Sequence, residues 1–285
     1  MTITVTPLAE TFAAEVRGVD LLNPLSSTDV ADIQAAFDEH GIIVLPDQPI
    51  DDDQQIAYSR NFGELETSIR YNRDGGSNRP ELSYIGNVDK NGDLYPIGDE
   101  RSLPGTERWH SDSSFRTIPA YASLLSARIV PPTGGETEFA DLRSAWDALA
   151  PDMQNRAEGQ TVIHDLIKSR KVSTDQNVGE SEQKRLPPVR QTLVRAHPKN
   201  GRKAIYIGAH AIEIEGWPED ESRAFLDALT EHATQPKIVY RHTWRKGDLV
   251  MWDNTRAVHR RCAWDAANHA RVMIRTTVAG DGPTV

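Results

Sequence analysis

Two histidines, one aspartate and two arginines carry most of the chemistry that can be read from this chain. In Trp109-His110-Ser111-Asp112-Ser113-Ser114-Phe115, an extended backbone would send residues i and i+2 to the same face. His110 and Asp112 then present an imidazole and a carboxylate side by side toward one ion. A lone His-x-Asp is a common accident, but a second imidazole follows late in the chain. The run Met251-Trp252-Asp253-Asn254-Thr255-Arg256-Ala257-Val258-His259 leads from a buried strand through a turn to a histidine on another extended piece. Two imidazoles and one carboxylate form the facial set that suits ferrous iron and leaves three coordination positions open. Those positions suit a bidentate 2-oxo acid and then dioxygen. Both imidazoles must be neutral to bind, so activity is expected to fall in acid.

Arg271-Val272-Met273-Ile274-Arg275 adds the cations such an acid would need. A spacing of four on a strand puts both guanidinium groups on one face, and the planar fork of arginine matches a carboxylate. Burying two arginines on an apolar strand is costly without anionic partners. The bland alternative is an edge strand with both arginines in solvent. Asp253 is placed to orient a ligand or the turn before His259.

These residues need a scaffold of strands. Ser26-Ser27-Thr28-Asp29 predicts a helix N-cap, with Val30, Ile33 and Phe37 on one face and Gly41 as the stop. Ile42–Leu45 reads as a short buried strand, and a second helix is expected over about 53–62. Strands are expected over 82–85, 122–130, 135–139, 160–164, 193–196, 204–207, 238–244, 249–252 and 271–278, and helices over about 143–150 and 220–232. Many short strands with Gly and Pro turns favour a β-sandwich or barrel over a doubly wound sheet. Residues 67–105, polar and rich in Gly, Asn, Asp and Pro, read as an active-site loop region. Residues 166–190 read as a mobile, charged insertion with little core material. Linker signals are weak, so one domain over 1–285 is expected.

Composition narrows the partners. Asp and Glu outnumber Lys and Arg by 42 to 32, a formal charge of −10, which disfavours nucleic acid. No apolar stretch is long enough to span a membrane, and the N-terminal residues lack a signal-peptide pattern, so a cytoplasmic location is the default expectation. The single cysteine, Cys262, excludes an intrachain disulfide and cysteine-based metal clusters.

The ordered motifs resemble one family along essentially the whole chain. They include Asp53-Gln54-Gln55-Ile56-Ala57, Asn61-Phe62-Gly63, Ile85-Gly86-Asn87-Val88 and Trp109–Phe115. They continue through Val130-Pro131-Pro132-Thr133-Gly134-Gly135-Glu136-Thr137-Glu138-Phe139, Ile207-Gly208-Ala209-His210-Ala211, Val239-Tyr240-Arg241-His242 and Gly247–Asn254. Together they are similar to the taurine dioxygenase-like, Fe(II)- and 2-oxoglutarate-dependent dioxygenases, closest to the branch that cleaves 2,4-dichlorophenoxyacetate and related aryloxyalkanoates.

The resemblance implies a mainly β fold with flanking helices, a double-stranded β-helix or jelly roll, with Fe(II), 2-oxoglutarate and O2 at one end. It implies that Thr137 and Arg271 hold the distal carboxylate of 2-oxoglutarate. Arg275 would serve the proximal carboxylate or the substrate's own. Asn87, Arg70, His210 and Ser111 become candidate substrate contacts, His210 toward a carboxylate. Hydroxylation beside an ether oxygen would release a phenol and glyoxylate, with succinate and CO2 from the co-substrate. Family members commonly form homo-oligomers. Two departures stand out: Arg70 occupies the loop where the 2,4-dichlorophenoxyacetate enzymes carry Lys, and Glu213 stands where they carry a second His. Within the family the alternative substrate is a sulfonate or another small carboxylate.

Outside the family, a zinc hydrolase or a metal-free binding protein would leave the paired arginines unexplained. His40, His164, His197, His232 and His269 have no spacing partner and read as ordinary residues, and His242 as a satisfied strand histidine. Tyr71, Tyr84 and Phe115 read equally as aromatic pocket wall or core.

Overall fold

The computed structural model describes residues 3–71, 77–99, 101, 106–174, 186–197 and 201–285. The chain opens with the hairpin of β1 (Thr4–Pro7) and β2 (Ala14–Arg17) and enters α1 (Ser27–His40). Ser26 and Asp29 form a reciprocal capping box, and Gly41, at φ 72°, ends the helix in the left-handed region. The buried face is Ile33, Ala36 and Phe37, while Val30 stays half-buried. Gly41 is also required by crowding, because a Cβ there would lie 2.1 Å from the Arg256 guanidinium. That guanidinium donates to the Phe37 carbonyl at 2.9 Å and stands at the helix C-terminus, where a cation is favoured.

After β3 (Ile42–Leu45) come α2 (Asp52–Ser59) and a 3-10 turn, then β4 (Ser83–Gly86), β5 (Ala120–Ile129) and β6 (Thr137–Asp141). Helices α3 (Leu142–Asp147) and α4 (Pro151–Ala157) replace the single helix expected over 143–150, because Pro151 opens a new helix at its first turn. Next are β7 (Thr161–His164), α5 (Leu166–Thr174), β8 (Val189–Thr192), β9 (Val194–Ala196), β10 (Lys203–Ile205) and β11 (Ala211–Ile214). Helix α6 (Glu219–Ala233) precedes β12 (Val239–His242), β13 (Leu249–Asp253), β14 (Ala257–Arg261) and β15 (Val272–Ala279).

The insertion expected at 166–190 is corrected at both ends. Leu166 and Ile167 are buried as α5 begins, and Val189–Thr192 pairs with β7. Expectations for 175–185 fall outside the described residues.

The main sheet has the order β1-β2-β3-β13-β5-β15-β4, and β12-β6-β14, β11-β7-β8 and β9-β10 form smaller sheets. Period-two alternation explains how its central strands are buried on both faces. Leu249 and Met251 of β13 pack outward with Phe37 and Ile33 of α1, whereas Val250 and Trp252 pack inward with Phe139 of β6. Each such large side chain contributes about 1.5–3 kcal/mol on burial. The result is a jelly roll with helices on its outer faces, as the resemblance implied. Among the described residues, no helix is long and apolar enough to cross a membrane.

Candidate metal centre and substrate pocket

His110 and His259 face each other as a two-residue antiparallel bridge. The His110 amide donates to the His259 carbonyl at 3.0 Å, and the His259 amide returns to His110 at 2.8 Å. Their rings lie 4.2 Å apart between centroids. Asp112 does not continue an extended strand, as its spacing suggested. The backbone turns there, with Ser113 in the left-handed region at φ 53°. The turn still delivers the carboxylate: one ligand atom from each of His110, Asp112 and His259 lies within 4.8 Å of the others.

Each group is held for binding a cation. His110 Nδ1 is 2.8 Å from the Arg108 carbonyl, which fixes the ring and directs Nε2 inward. His259 Nε2 is 3.8 Å from Asp112 Oδ2. Ser123 donates to Asp112 Oδ2 at 2.7 Å, and Arg275 pairs with Oδ1. Burial alone would push the Asp112 carboxyl up, but Arg275, His259, His110 and the Ser123 hydroxyl outweigh it and hold the group well below the usual carboxylate range. Burial lowers both imidazoles, and in His259 the neighbouring His110 adds to it, so both rings stay neutral. A carboxylate and two neutral imidazoles converging in a buried site fit a divalent first-row metal.

Asn254 ties this arrangement to the main sheet. Its Oδ1 accepts from the Asp112 amide at 3.1 Å and from Trp252 Nε1 at 3.1 Å, and its Nδ2 donates to Ser123 Oγ at 2.9 Å. Asp253, read as a ligand or turn orienter, serves the turn. It accepts from the Thr255 amide and hydroxyl at 2.8 and 2.6 Å and pairs with Arg256 at 3.2 Å.

Two cavities meet at the triad. The smaller is lined by Thr137, His110, His259, Arg261, Arg271 and Arg275. Both arginines of the 271/275 pair therefore face one space, as their spacing required. The extra residue that disturbs pairing there, Arg128, sits on the partner strand β5 and leaves the alternation of β15 intact. Arg271 is 2% exposed and donates to the Gly135 carbonyl at 3.0 Å. Among the described residues no carboxylate pairs with it. Burial, with Arg261 nearby, pulls its guanidinium down to about 9. Thr137 Oγ1 accepts from Trp244 Nε1 at 3.0 Å. Arg261, not singled out from the sequence, stacks on Trp264 at 4.4 Å and enlarges the cationic wall.

The larger cavity also reaches His110, Asp112 and Arg275, and is walled by Phe115, Ile69, Ile85, Leu166 and Ala209. Phe115 is thus pocket wall. Arg70 and His210 line it too, Arg70 donating to the Arg101 carbonyl at 2.9 Å. His210 meets Phe115 edge-on at 5.2 Å.

Two expected substrate contacts are corrected. Asn87 is buried, and its amide is spent on backbone: Oδ1 accepts from the Arg271 amide at 2.8 Å, and Nδ2 donates to Ala266 and His269 carbonyls at 2.9 and 3.0 Å. It shapes the Arg271 strand end and does not line the pocket. Ser111 is buried, and its hydroxyl is spent on backbone: it donates to the Asn254 carbonyl at 2.8 Å. Glu213 stands opposite Ile163 in the β11–β7 pair, off both cavities. His242, read as a satisfied strand histidine, lies 3.1 Å from Asp248.

The sequence reading missed Ser123, Asn254 as a network centre, Glu66, Arg116 and the α5 wall. Glu66 is a buried carboxylate that accepts from Ser113 Oγ at 2.6 Å and pairs with Arg116 at 3.3 Å. Their signals were weak, because a serine in an apolar strand or a glutamate in a polar loop is ordinary until the chain is folded.

Comparison with known proteins gives the same direction. The family model described as taurine catabolism dioxygenase TauD, TfdA family, matches residues 4–277. The alpha-ketoglutarate-dependent 2,4-dichlorophenoxyacetate dioxygenase of Cupriavidus pinatubonensis is 43% identical over 283 residues, 98% of each chain. The (S)-phenoxypropionate/alpha-ketoglutarate-dioxygenase of Sphingobium herbicidovorans is 36% identical over 287 residues, 97% of this chain and 95% of that one. A crystal structure of AAD-2 in complex with Mn(II) and N-oxalylglycine superposes with a TM-score of 0.91 at 40% identity, covering 100% of this chain and 99% of that one.

Proposed function

The chain belongs to the TauD/TfdA dioxygenase family, and from that premise we propose that it oxidises aryloxyalkanoates such as 2,4-dichlorophenoxyacetate, using Fe(II), 2-oxoglutarate and O2. The observation that carries this reading is the meeting of two cavities at one buried triad, the smaller containing a buried arginine that has no acid partner among the described residues. His110, Asp112 and His259 hold the iron. Arg271 and Thr137 take the distal carboxylate of 2-oxoglutarate, which relieves the cost of burying the Arg271 charge. Arg275 serves the carboxylate nearer the triad.

Bound iron supplies the activation of O2, coupled to decarboxylation of 2-oxoglutarate to succinate, that oxidises a substrate carbon. The residues around it orient and exclude water. Phe115, Ile69, Ile85 and Leu166 present an apolar wall to the aryl group. Ser123 and Asn254 hold the Asp112 carboxylate in one orientation. Oxidation of the carbon beside the ether oxygen gives a hemiacetal that separates into a phenol and glyoxylate. Residues 1–285 act as one catalytic domain in this reading, since both the main and smaller sheets supply the site.

The test is succinate formed with ferrous iron and 2-oxoglutarate in the presence of 2,4-dichlorophenoxyacetate, taurine or an alkyl sulfate. Substrate-dependent succinate with matching phenol release is expected from the first alone. Stimulation by taurine alone would remove the aryloxyalkanoate assignment.

A further inference from the structure

On its N-terminal side Asp112 is fixed by Asn254, which accepts from the Asp112 amide at 3.1 Å and from the Ser111 hydroxyl at 2.8 Å. On its C-terminal side the chain reverses through Ser113, at φ 53°. That left-handed region crowds the Cβ of an L-residue, and serine lacks the freedom with which glycine enters it. Any relaxation of Ser113 toward the usual regions re-aims the peptide that joins it to Asp112, and with it the carboxylate.

Glu66 opposes that relaxation. Its side chain, 8% exposed, accepts from the Ser113 hydroxyl at 2.6 Å on Oε2, and Arg116 Nε stands 3.3 Å from the same oxygen. Among the described residues no other side chain bonds to Ser113. Gln191 holds the residues that follow, through the Ser114 and Arg116 carbonyls at 2.9 and 2.8 Å. Glu66 is itself a fixed post. Its amide donates to the Thr277 carbonyl at 2.8 Å, Leu65 bridges Val278, and the Ala279 amide donates to the Glu64 carbonyl at 2.8 Å. Residues 64–66 are therefore tied to β15, the strand whose Arg275 pairs with Asp112. A hydrogen bond to an ionised acceptor is roughly twice as strong as a neutral one, enough to set against the cost of one left-handed residue.

We infer that Glu66 is a positioning residue of the metal centre: its bond to the Ser113 hydroxyl holds the left-handed turn that aims Asp112, and so sets the affinity for a divalent cation. The inference rests on the metal centre proposed above and adds the residue that secures its carboxylate from the pocket side. Glu66, Ser113 and Arg116 all line the larger cavity, so this clasp stands between the metal ligands and the space for the substrate.

The experiment titrates Mn(II) into the metal-free protein, with free Mn(II) read by electron paramagnetic resonance and no turnover involved. Ser113→Ala keeps the left-handed cost and loses the bond, and Mn(II) affinity should fall about tenfold to a hundredfold. Ser113→Gly loses the same bond and the cost with it, and should recover most of that affinity. A role confined to packing, or to the hydrogen bond alone, would leave Ser113→Gly no better than Ser113→Ala. Glu66→Ala should weaken Mn(II) binding as Ser113→Ala does, and should cost little in the Ser113→Gly background. Glu66→Gln, whose amide oxygen still accepts, should fall between Glu66→Ala and wild type. Three results would each overturn the inference while leaving the metal centre standing. They are wild-type affinity in Ser113→Ala or Glu66→Ala, equal affinities in Ser113→Ala and Ser113→Gly, and equal losses from Glu66→Ala in both backgrounds. If Glu66→Ala folds poorly, the comparison of Ser113→Gly with Ser113→Ala decides, and parity sinks the inference. A wild type that binds no Mn(II) removes the metal centre and the inference together.

Discussion

Arg271 shows how one side chain couples the fold to its ligand. Its charge is buried with no acid paired to it among the described residues, and burial pulls its guanidinium down to about 9, so at neutral pH the ligand-free protein carries the cost of that cation. The sign follows from linkage: the unfolded chain binds the proton more tightly, and between pH 9 and the usual arginine range folding gains as the proton is lost. Arg271→Met should leave the ligand-free protein as stable as wild type or more so, by thermal unfolding. The same variant should lose the stabilisation that 2-oxoglutarate gives, and its KM for 2-oxoglutarate should rise about tenfold to a hundredfold. A wild-type-sized thermal shift with 2-oxoglutarate in Arg271→Met would show that the co-substrate's carboxylate goes elsewhere. The triad makes a companion prediction. His259→Ala should lose ferrous-iron binding, read by metal titration, together with substrate-dependent succinate. Retention of both would move the centre away from these residues.

At the scale of elements, the turn from β13 to β14 is the joint between the main sheet and the metal centre. Asn254→Ala removes bonds to the Asp112 amide, Ser123 Oγ and Trp252 Nε1. It should cost about 1–3 kcal/mol by urea unfolding and weaken metal binding about tenfold to a hundredfold. Unchanged metal affinity would mean that Asp112 needs no help from the turn. This joint also marks where sequence reading succeeded and stopped. His259 and the Arg271/Arg275 pair were legible because strand alternation alone fixes their faces. The central strands were legible because continuous apolar runs such as Ile42–Leu45 have few other homes. Asp112 reached the site by a turn with Ser113 at positive φ, which spacing rules do not encode. Helix α5 went unread because Leu166 and Ile167 stand at the head of a polar segment, and their burial comes from neighbours remote in sequence. Asn87 and Ser111 were misassigned for a related reason: a polar residue beside a motif is as often tied to backbone as turned to a ligand, and only the folded partners decide.

The molecule as a whole buries several imidazoles away from solvent. His164 is the extreme case. It stacks on Tyr206 at 5.3 Å, neither ring nitrogen has a hydrogen-bond partner among the described residues, and burial, with Arg195 nearby, lowers it to about 3. The unfolded chain takes up this proton near pH 6.5 and the folded protein refuses it until about 3. Its contribution to stability is therefore intact above pH 6.5 and is lost as pH falls through that window, at about 1.4 kcal/mol per pH unit. Burial lowers His110, His210 and His259 in the same sense, while the raised carboxyls of Glu66 and Asp253 offset part of it. His164→Phe should gain on wild type in urea unfolding as pH drops below 6.5, and an equal difference at pH 7.5 and 5 would show that the ring is not buried neutral.

The paired backbones of His110 and His259 have an evolutionary consequence. A one-residue slip along β14 would set Val258 or Arg260 opposite His110 and turn the second imidazole to the reverse surface. Descendants of this chain can gain or lose codons at exposed connections at little cost. A single codon inserted or deleted between Asn254 and His259 would erase the chemistry while sparing nearly all of the hydrophobic interior. Such a lineage would still fold and would still be recognised as kin, yet it could no longer do the family's work.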